Sequence, residues 1–219
     1  GSSGRAYRGV IGAKPLSHYL VIVVILKLTS RQTYKVVRVA LERGMFKQVE
    51  LEQATDVSFG LVNRAVNWMV SRKYVAREAG QYRVIAPAAL AEAFSFFRRL
   101  DHARLWRFDV EADEKTLRKV FKEHGAVLCL TSALVYYDDY FRDPAASVYG
   151  NKELASVLNE LPPGRMRVDV FVDDLKQSED FVEVRGVRLT SKVRTIIDLL
   201  CSQKSYAADQ LIRKTWGRE

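Results

Sequence analysis

The sequence predicts an α+β protein in two parts: a small basic helical domain closed by a β-hairpin, then a larger α+β domain with a small mixed sheet. Three observations carry this. Apolar residues recur at helical spacing through residues 30–71, then alternate with polar ones through 74–85. Beyond residue 112, helical and strand periods follow one another. The charge divides the same way: residues 1–100 hold 16 Lys/Arg against 6 Asp/Glu, while residues 101–219 hold 19 against 20. A basic first half beside a near-neutral second half points to a polyanionic partner for the first half.

Residues 1–29 read as an extension with one apolar segment. Its opening Gly-Ser-Ser-Gly carries no fold signal. "LVIVVIL", residues 20–26, is seven residues long, far short of the ~20 that span a bilayer. It is expected as a buried strand, or as a buried helix leading into the next one, with no secretory cleavage site after it. Residues 30–43 form a first helix: Ser30 caps it, Val36, Val37, Ala40 and Leu41 make its stripe, and Gly44 stops it. A short helix over 47–54 turns Val49 and Leu51 inward. "TDVS" then leads into a helix over 58–71, with Ser58 at the N-cap and Val62, Val66, Met69 and Val70 as its apolar face. "YVAREAGQYRVI", residues 74–85, alternates about a turn containing Gly80 and reads as a hairpin. Pro87 opens an amphipathic helix over 87–100 that joins the two domains. Leu90, Ala93, Phe94 and Phe97 give it an apolar face, and Arg98 and Arg99 close it.

The second domain, 101–219, alternates. A helix at 113–124 precedes a strand "AVLCL"; a helix "TSALVYYDDYF" precedes a strand "ASVYG"; Asn151 caps a further helix. Pro162-Pro163-Gly164 turns into the strand "RMRVDVFVDD". Two short strands around Gly186 and helices at about 191–201 and 206–216 complete it.

Helix, helix–turn–helix and hairpin over residues 30–86 resemble a winged helix–turn–helix domain, and "ATDVSFGLVNRAV" carries the likeness. The superfamily's usual turn glycine is Asp56 here, a residue that tolerates a left-handed backbone. The resemblance implies that helix 58–71 lies in a DNA major groove, starting at Ser58. Phe59, Gly60, Asn63, Arg64 and Asn67 would then face the bases; amides and a guanidinium are the groups that read base edges. Arg77, Gln81 and Arg83 on the hairpin would meet phosphate or minor groove, and Lys47 and Gln48 would clamp the backbone.

"VRGVRLTSKVRTIIDLL", residues 184–200, resembles the hairpin-then-helix signature of the AbiEi family, the antitoxins of type IV toxin–antitoxin systems and their regulator relatives. Gly186, Thr190, Ser191, Arg194, Thr195, Asp198 and Leu199 meet its Gly-x-x-x-Thr-Ser-x-x-Arg-Thr-x-x-Asp-Leu pattern. The resemblance implies a nucleotidyltransferase-like C-terminal domain, a regulator's function and a cognate toxin or other protein as partner. The motif also has a physics of its own. Ser191 or Thr190 caps a helix whose first turn carries Arg194, with Asp198 four residues on. Both charges oppose the helix dipole, so each needs a partner elsewhere, in the fold or on another protein.

Catalytic readings find little support in the residues. Adjacent Asp138 and Asp139 point about 100° apart on a helix and read as a solvated helix end. Asp169 and Asp173 share a strand face but stand roughly 13 Å apart by strand rise. An active nucleotidyltransferase needs a Gly-Ser turn and then an Asp-x-Asp strand to hold its metal; here stand "LTS" and "ASVYG", with Ser147 and Tyr149. His18, His102 and His124 lack metal-ligand spacing, and no phosphate-binding loop occurs. Cys129 and Cys201, both in apolar surroundings, make no disulfide framework and point to a reducing, cytoplasmic compartment. The expected function is sequence-specific DNA binding in transcriptional regulation, without cofactor, metal or membrane. The alternative is a nuclease or nucleotidyltransferase targeted by the same helix.

Overall fold

The computed structural model describes residues 26–138, 141–175 and 181–217. The apolar run at 20–26 lies outside them apart from Leu26, which packs on the core. Helix α1, Arg31–Arg43, begins where the Ser30 hydroxyl accepts the Thr33 N–H at 3.3 Å. It ends at Gly44, whose φ of 70° few other residues adopt. Two residues, Met45–Phe46, then form strand β1, which alternation cannot reveal at that length. Helix α2, Gln48–Thr55, closes on Asp56 at φ 52°, ψ 39°, the left-handed turn that redirects the chain into α3, Phe59–Ser71. Leu51 and Thr55, one helical turn apart, are the buried face of α2. Val49, about 200° away from Leu51 on the helix, is therefore exposed rather than inward. Ser58 stands at the N-cap of α3, but its hydroxyl makes no capping bond; only its carbonyl accepts, from Leu61 and Val62. Val62, Ala65, Val66 and Met69 are buried, and Val70 lies at the exposed rim of that stripe.

Strands β2, Val75–Glu78, and β3, Gln81–Val84, make the hairpin through Ala79 and Gly80, both at positive φ. β1 pairs with the other edge of β3, giving a three-stranded sheet in which Phe46 stacks on Tyr82. Helix α4 is shorter than expected, Pro87–Glu92. It tightens into a 3-10 turn over Ala93–Phe96, and the chain extends at Arg99. Phe96 and Phe97 are thrown outward. Arg98, one turn after Phe94, faces inward instead of closing the exposed side.

The second sheet has six strands in the order β4-β7-β6-β5-β9-β8. Its members are β4 (Arg104–Val110), β5 (Val127–Leu128), β6 (Ala146–Tyr149), β7 (Met166–Phe171), β8 (Phe181–Val184) and β9 (Val187–Thr190). β6 runs parallel to β7 and β5 parallel to β9; the other pairings are antiparallel, so the sheet is mixed. Alternation sorts its faces. Val148, Val168, Val170 and Leu189 meet α5 (Glu114–Glu123) and α7 (Lys152–Glu160) in one core. Tyr149 and Phe171 point the other way, into a core shared with α8 (Lys192–Leu200) and α9 (Ala208–Trp216). That second core does not stop at the expected domain boundary. It continues through Leu90 and Phe94 to Tyr34 and Val37, because α8 packs on both α1 and α4.

Helix α6 covers Leu130–Leu134 only, and the chain turns after it. Asp138 is buried and paired with Lys214 at 3.3 Å, not a solvated helix end; Asp139 lies outside the described residues. No helix among the described residues is long and apolar enough to cross a membrane.

Candidate nucleic-acid interface

The α2–α3 turn holds α3 with its apolar side sealed and its other side open. Phe59 is 45% exposed; Gly60, Arg64 and Asn67 are exposed beside it, and Asn63 is half-buried. A methyl group at Gly60 would meet nothing nearer than the Arg64 guanidinium, at 3.9 Å, so backbone and cation share one open surface. Asn63 sits at the centre of an amide cluster. Its Oδ1 accepts from Gln48 Nε2 at 3.1 Å and from Asn67 Nδ2 at 3.3 Å. Gln48 Nε2 also donates to the Tyr82 hydroxyl at 3.4 Å, tying α2, α3 and β3 together.

The other expected contact residues are not all brought to one place. Lys47 is exposed, and its backbone N–H donates to the Glu50 carboxylate at 2.9 Å. Gln48 turns its amide nitrogen inward, so it organises Asn63 and does not stand out as a clamp. On the hairpin Arg77 pairs across with Tyr82, whereas Arg83 pairs with Ala76 and Gln81 with Glu78. Arg77 thus shares the Tyr82 face, and Gln81 and Arg83 lie on the opposite one. Arg83 is further engaged by Glu78 at 2.6 Å, an exposed ion pair worth at most about 1 kcal/mol. Tyr82 is the residue that sequence reasoning missed; its place opposite Arg77 about the Gly80 turn was the available signal.

The motif residues of the second half lie elsewhere: Thr190, Arg194, Thr195, Asp198 and Leu199 are buried, Ser191 is half-buried and Gly186 exposed. Ser191 caps α8, its Oγ accepting the Arg194 N–H at 3.2 Å, and Thr190 Oγ1 meets Thr195 Oγ1 at 2.8 Å. Arg194 is 1% exposed and Asp198 0%. Arg194 Nε donates to Asp198 Oδ1 at 2.8 Å, and its Nη2 to Tyr149 at 2.9 Å and Asp173 at 3.2 Å. Arg98 enters the same node from the far side. Its Nη1 donates to Asp198 at 2.7 Å, and Nε and Nη2 grip Asp174 at 2.7 and 2.8 Å. The Tyr149 hydroxyl donates to Asp198 Oδ2 at 2.8 Å and accepts from both guanidiniums. Burial pushes the Tyr149 phenol well above its ordinary value, so it keeps the proton it donates. Burial also raises the Asp174 carboxyl, but the Arg98 hydrogen bonds and charge outweigh it and hold that group below the usual carboxylate range. The rings of Tyr34 and Tyr149 cover the Arg194 guanidinium at 5.2 and 5.0 Å.

No family model, curated protein or solved structure matches the chain.

What the two regions can do chemically differs. The node is a hydrogen-bonded joint: two arginines, three aspartates and a phenol bond one another between the turn after α4, the end of β6, the segment after β7 and α8. Asp169 is paired with Arg107 at 2.7 Å, and β7 ends at Phe171, so Asp173 has left the strand face on which the two were expected together. Burial pushes Cys129 far up and Cys201 to about 11, which leaves both as thiols. No group of three or more His, Cys, Asp or Glu among the described residues is placed to hold a metal ion. The α3 face, by contrast, presents donors and a cation on an open surface.

Proposed function

We propose that the protein is a sequence-specific DNA-binding transcriptional regulator whose first part is a winged helix–turn–helix domain, with α3 as the helix that enters the major groove. The observation that carries this reading is the outer face of α3: Phe59, Asn63, Arg64 and Asn67 around an open Gly60, on a helix whose opposite face is fully buried. The charge division supports it, since counterion release scales with the phosphates neutralised and the basic excess lies in residues 1–100. Arg77, on the Tyr82 face of the hairpin, is the favoured wing contact. The likeness of residues 184–200 to AbiEi antitoxins supports reading the second part as a nucleotidyltransferase-like domain with a toxin or another protein as its partner, and the absence of carboxylates from "ASVYG" supports its lacking that activity. The burial of Arg194 and Asp198 favours a structural role for that motif over a partner-binding one.

Arg64→Ala decides the central point. On the selected site it should cost about 1–3 kcal/mol and relax the preference at one base pair, as loss of a base contact does. Equal losses on selected and random DNA, measured in salt titrations, would assign Arg64 to phosphate. Magnesium-dependent turnover of DNA, RNA or nucleoside triphosphates, lost in Asp169→Asn, would put the enzyme reading first.

A further inference from the structure

The amide cluster on α3 restricts what its central residue can read, an inference that rests on the DNA-binding function proposed above. We propose that Asn63 meets its base pair through hydrogen-bond donors alone, and therefore selects guanine, because Gln48 and Asn67 occupy its carbonyl oxygen.

An amide oxygen has two lone pairs. Both of those on Asn63 Oδ1 are taken, by Gln48 Nε2 at 3.1 Å and Asn67 Nδ2 at 3.3 Å. What remains is the Nδ2 group and its two N–H bonds, which no other described group engages. An asparagine that reads adenine does so bidentately, accepting from N6 while donating to N7. That pairing needs the oxygen, and here the oxygen is closed. Guanine presents N7 and O6, two acceptors side by side, which matches a group that can only donate. The orientation is backed by the fold. Gln48 is half-buried and also donates to the Tyr82 hydroxyl at 3.4 Å, and Tyr82 stacks on Phe46, which lies in the core. Gln48 and Asn67 thereby set a base preference through Asn63.

The test selects binding sites for the full chain from a random-sequence DNA library and then measures single-base variants of the best site. The position that loses discrimination in Asn63→Ala should carry guanine, with adenine about tenfold or more weaker there. In Gln48→Met with Asn67→Ala the oxygen is released, and adenine should gain on guanine until the two are bound within about threefold. Asn67→Ala alone, at an exposed position, keeps the test decisive if the Gln48 variant fails to fold; it frees one lone pair and should shift the ratio part of the way. A wild-type preference for an A·T pair over a G·C pair at the Asn63 position overturns the proposal, as does a ratio unchanged in both variants. In each of those cases the wild type still binds DNA, so the DNA-binding reading survives. A wild type that selects no sequence and shows no salt-sensitive binding removes that reading and the proposal together.

Discussion

Arg98 shows how much of a fold one side chain can govern. It is 4% exposed, yet every nitrogen of its guanidinium donates, to Asp174, Asp198 and Tyr149. Breaking a buried pair leaves a charge without its partner, a loss of about 3–5 kcal/mol. Asp198→Ala, Arg194→Ala and Arg98→Ala should each lower the melting temperature by roughly 6–20 °C, at 2–4 °C per kcal/mol for a chain of this size. Pairwise combinations should fall short of the sum, since the three residues share one network. Melts indistinguishable from wild type would mean that the node is not the joint described. Acid should weaken the second part at the node and at a separate pair, Asp143 with Lys204. The Asp174 and Asp143 carboxyls sit below the usual range, Asp143 because bonds and charge from Lys204, with bonds from Ala145 and Thr131, outweigh its burial. A depressed carboxylate contributes stability above its unfolded value of about 3.9 and loses it as pH falls through the folded value. Unfolding free energy should therefore drop below about pH 4, and less steeply in Asp174→Asn. At this scale the sequence revealed Arg194 and Asp198, because their order opposes the helix dipole. Arg98 and Tyr149 stayed hidden, since their partner Asp198 lies 100 and 49 residues away.

At the scale of elements, local signals served where local forces decide. Caps and period placed α1 and α7, whose side-chain caps Ser30 and Asn151 form, and period placed α5, whose first residue by that reading, Asp113, is its N-cap. The left-handed turn at Asp56 and the Gly80 hairpin were legible for the same reason. Strand β4 was not: "RLWRFDV" carries Arg104, Arg107 and Asp109, charges suited to a sheet edge and unlike a buried strand's sequence. The helix over 87–100 was overextended because the inward turn of Arg98 depends on acids supplied by distant segments. On α3, Gly60 offers a way to separate helix stability from the proposed recognition. Gly60→Ala should raise stability by about 0.5–1 kcal/mol, since the site is helical and a methyl group there meets only a side chain. It should weaken DNA binding all the same, by keeping the backbone away from the groove. Unchanged affinity in the more stable variant would show that α3 does not approach DNA at its first turn.

For the whole molecule, the continuous core makes the two parts interdependent. Tyr34, Leu90 and Phe94 bury against Ile196, Ile197 and their neighbours in one cluster. The intact chain should unfold in a single transition with matching calorimetric and van't Hoff enthalpies. A fragment ending at residue 100 should melt well below it or fail to fold. Two separated transitions, or a stable fragment 26–100, would show that the joint carries little free energy. The charge asymmetry of the halves was readable from composition, but their shared core was not, because each helix stripe says only that a face is covered and not by what. The joint also bears on how the protein is made. Asp198 leaves the ribosome 100 residues after Arg98, which at about 5–20 residues per second is a delay of roughly 5–20 s. For the first 76 residues of that interval the nascent chain holds an arginine without a counter-charge, and throughout it an apolar surface lacks its cover. The first part to be synthesised is thus among the last to be finished, and a truncated translation product should be a substrate for chaperones and proteases, not a free-standing domain.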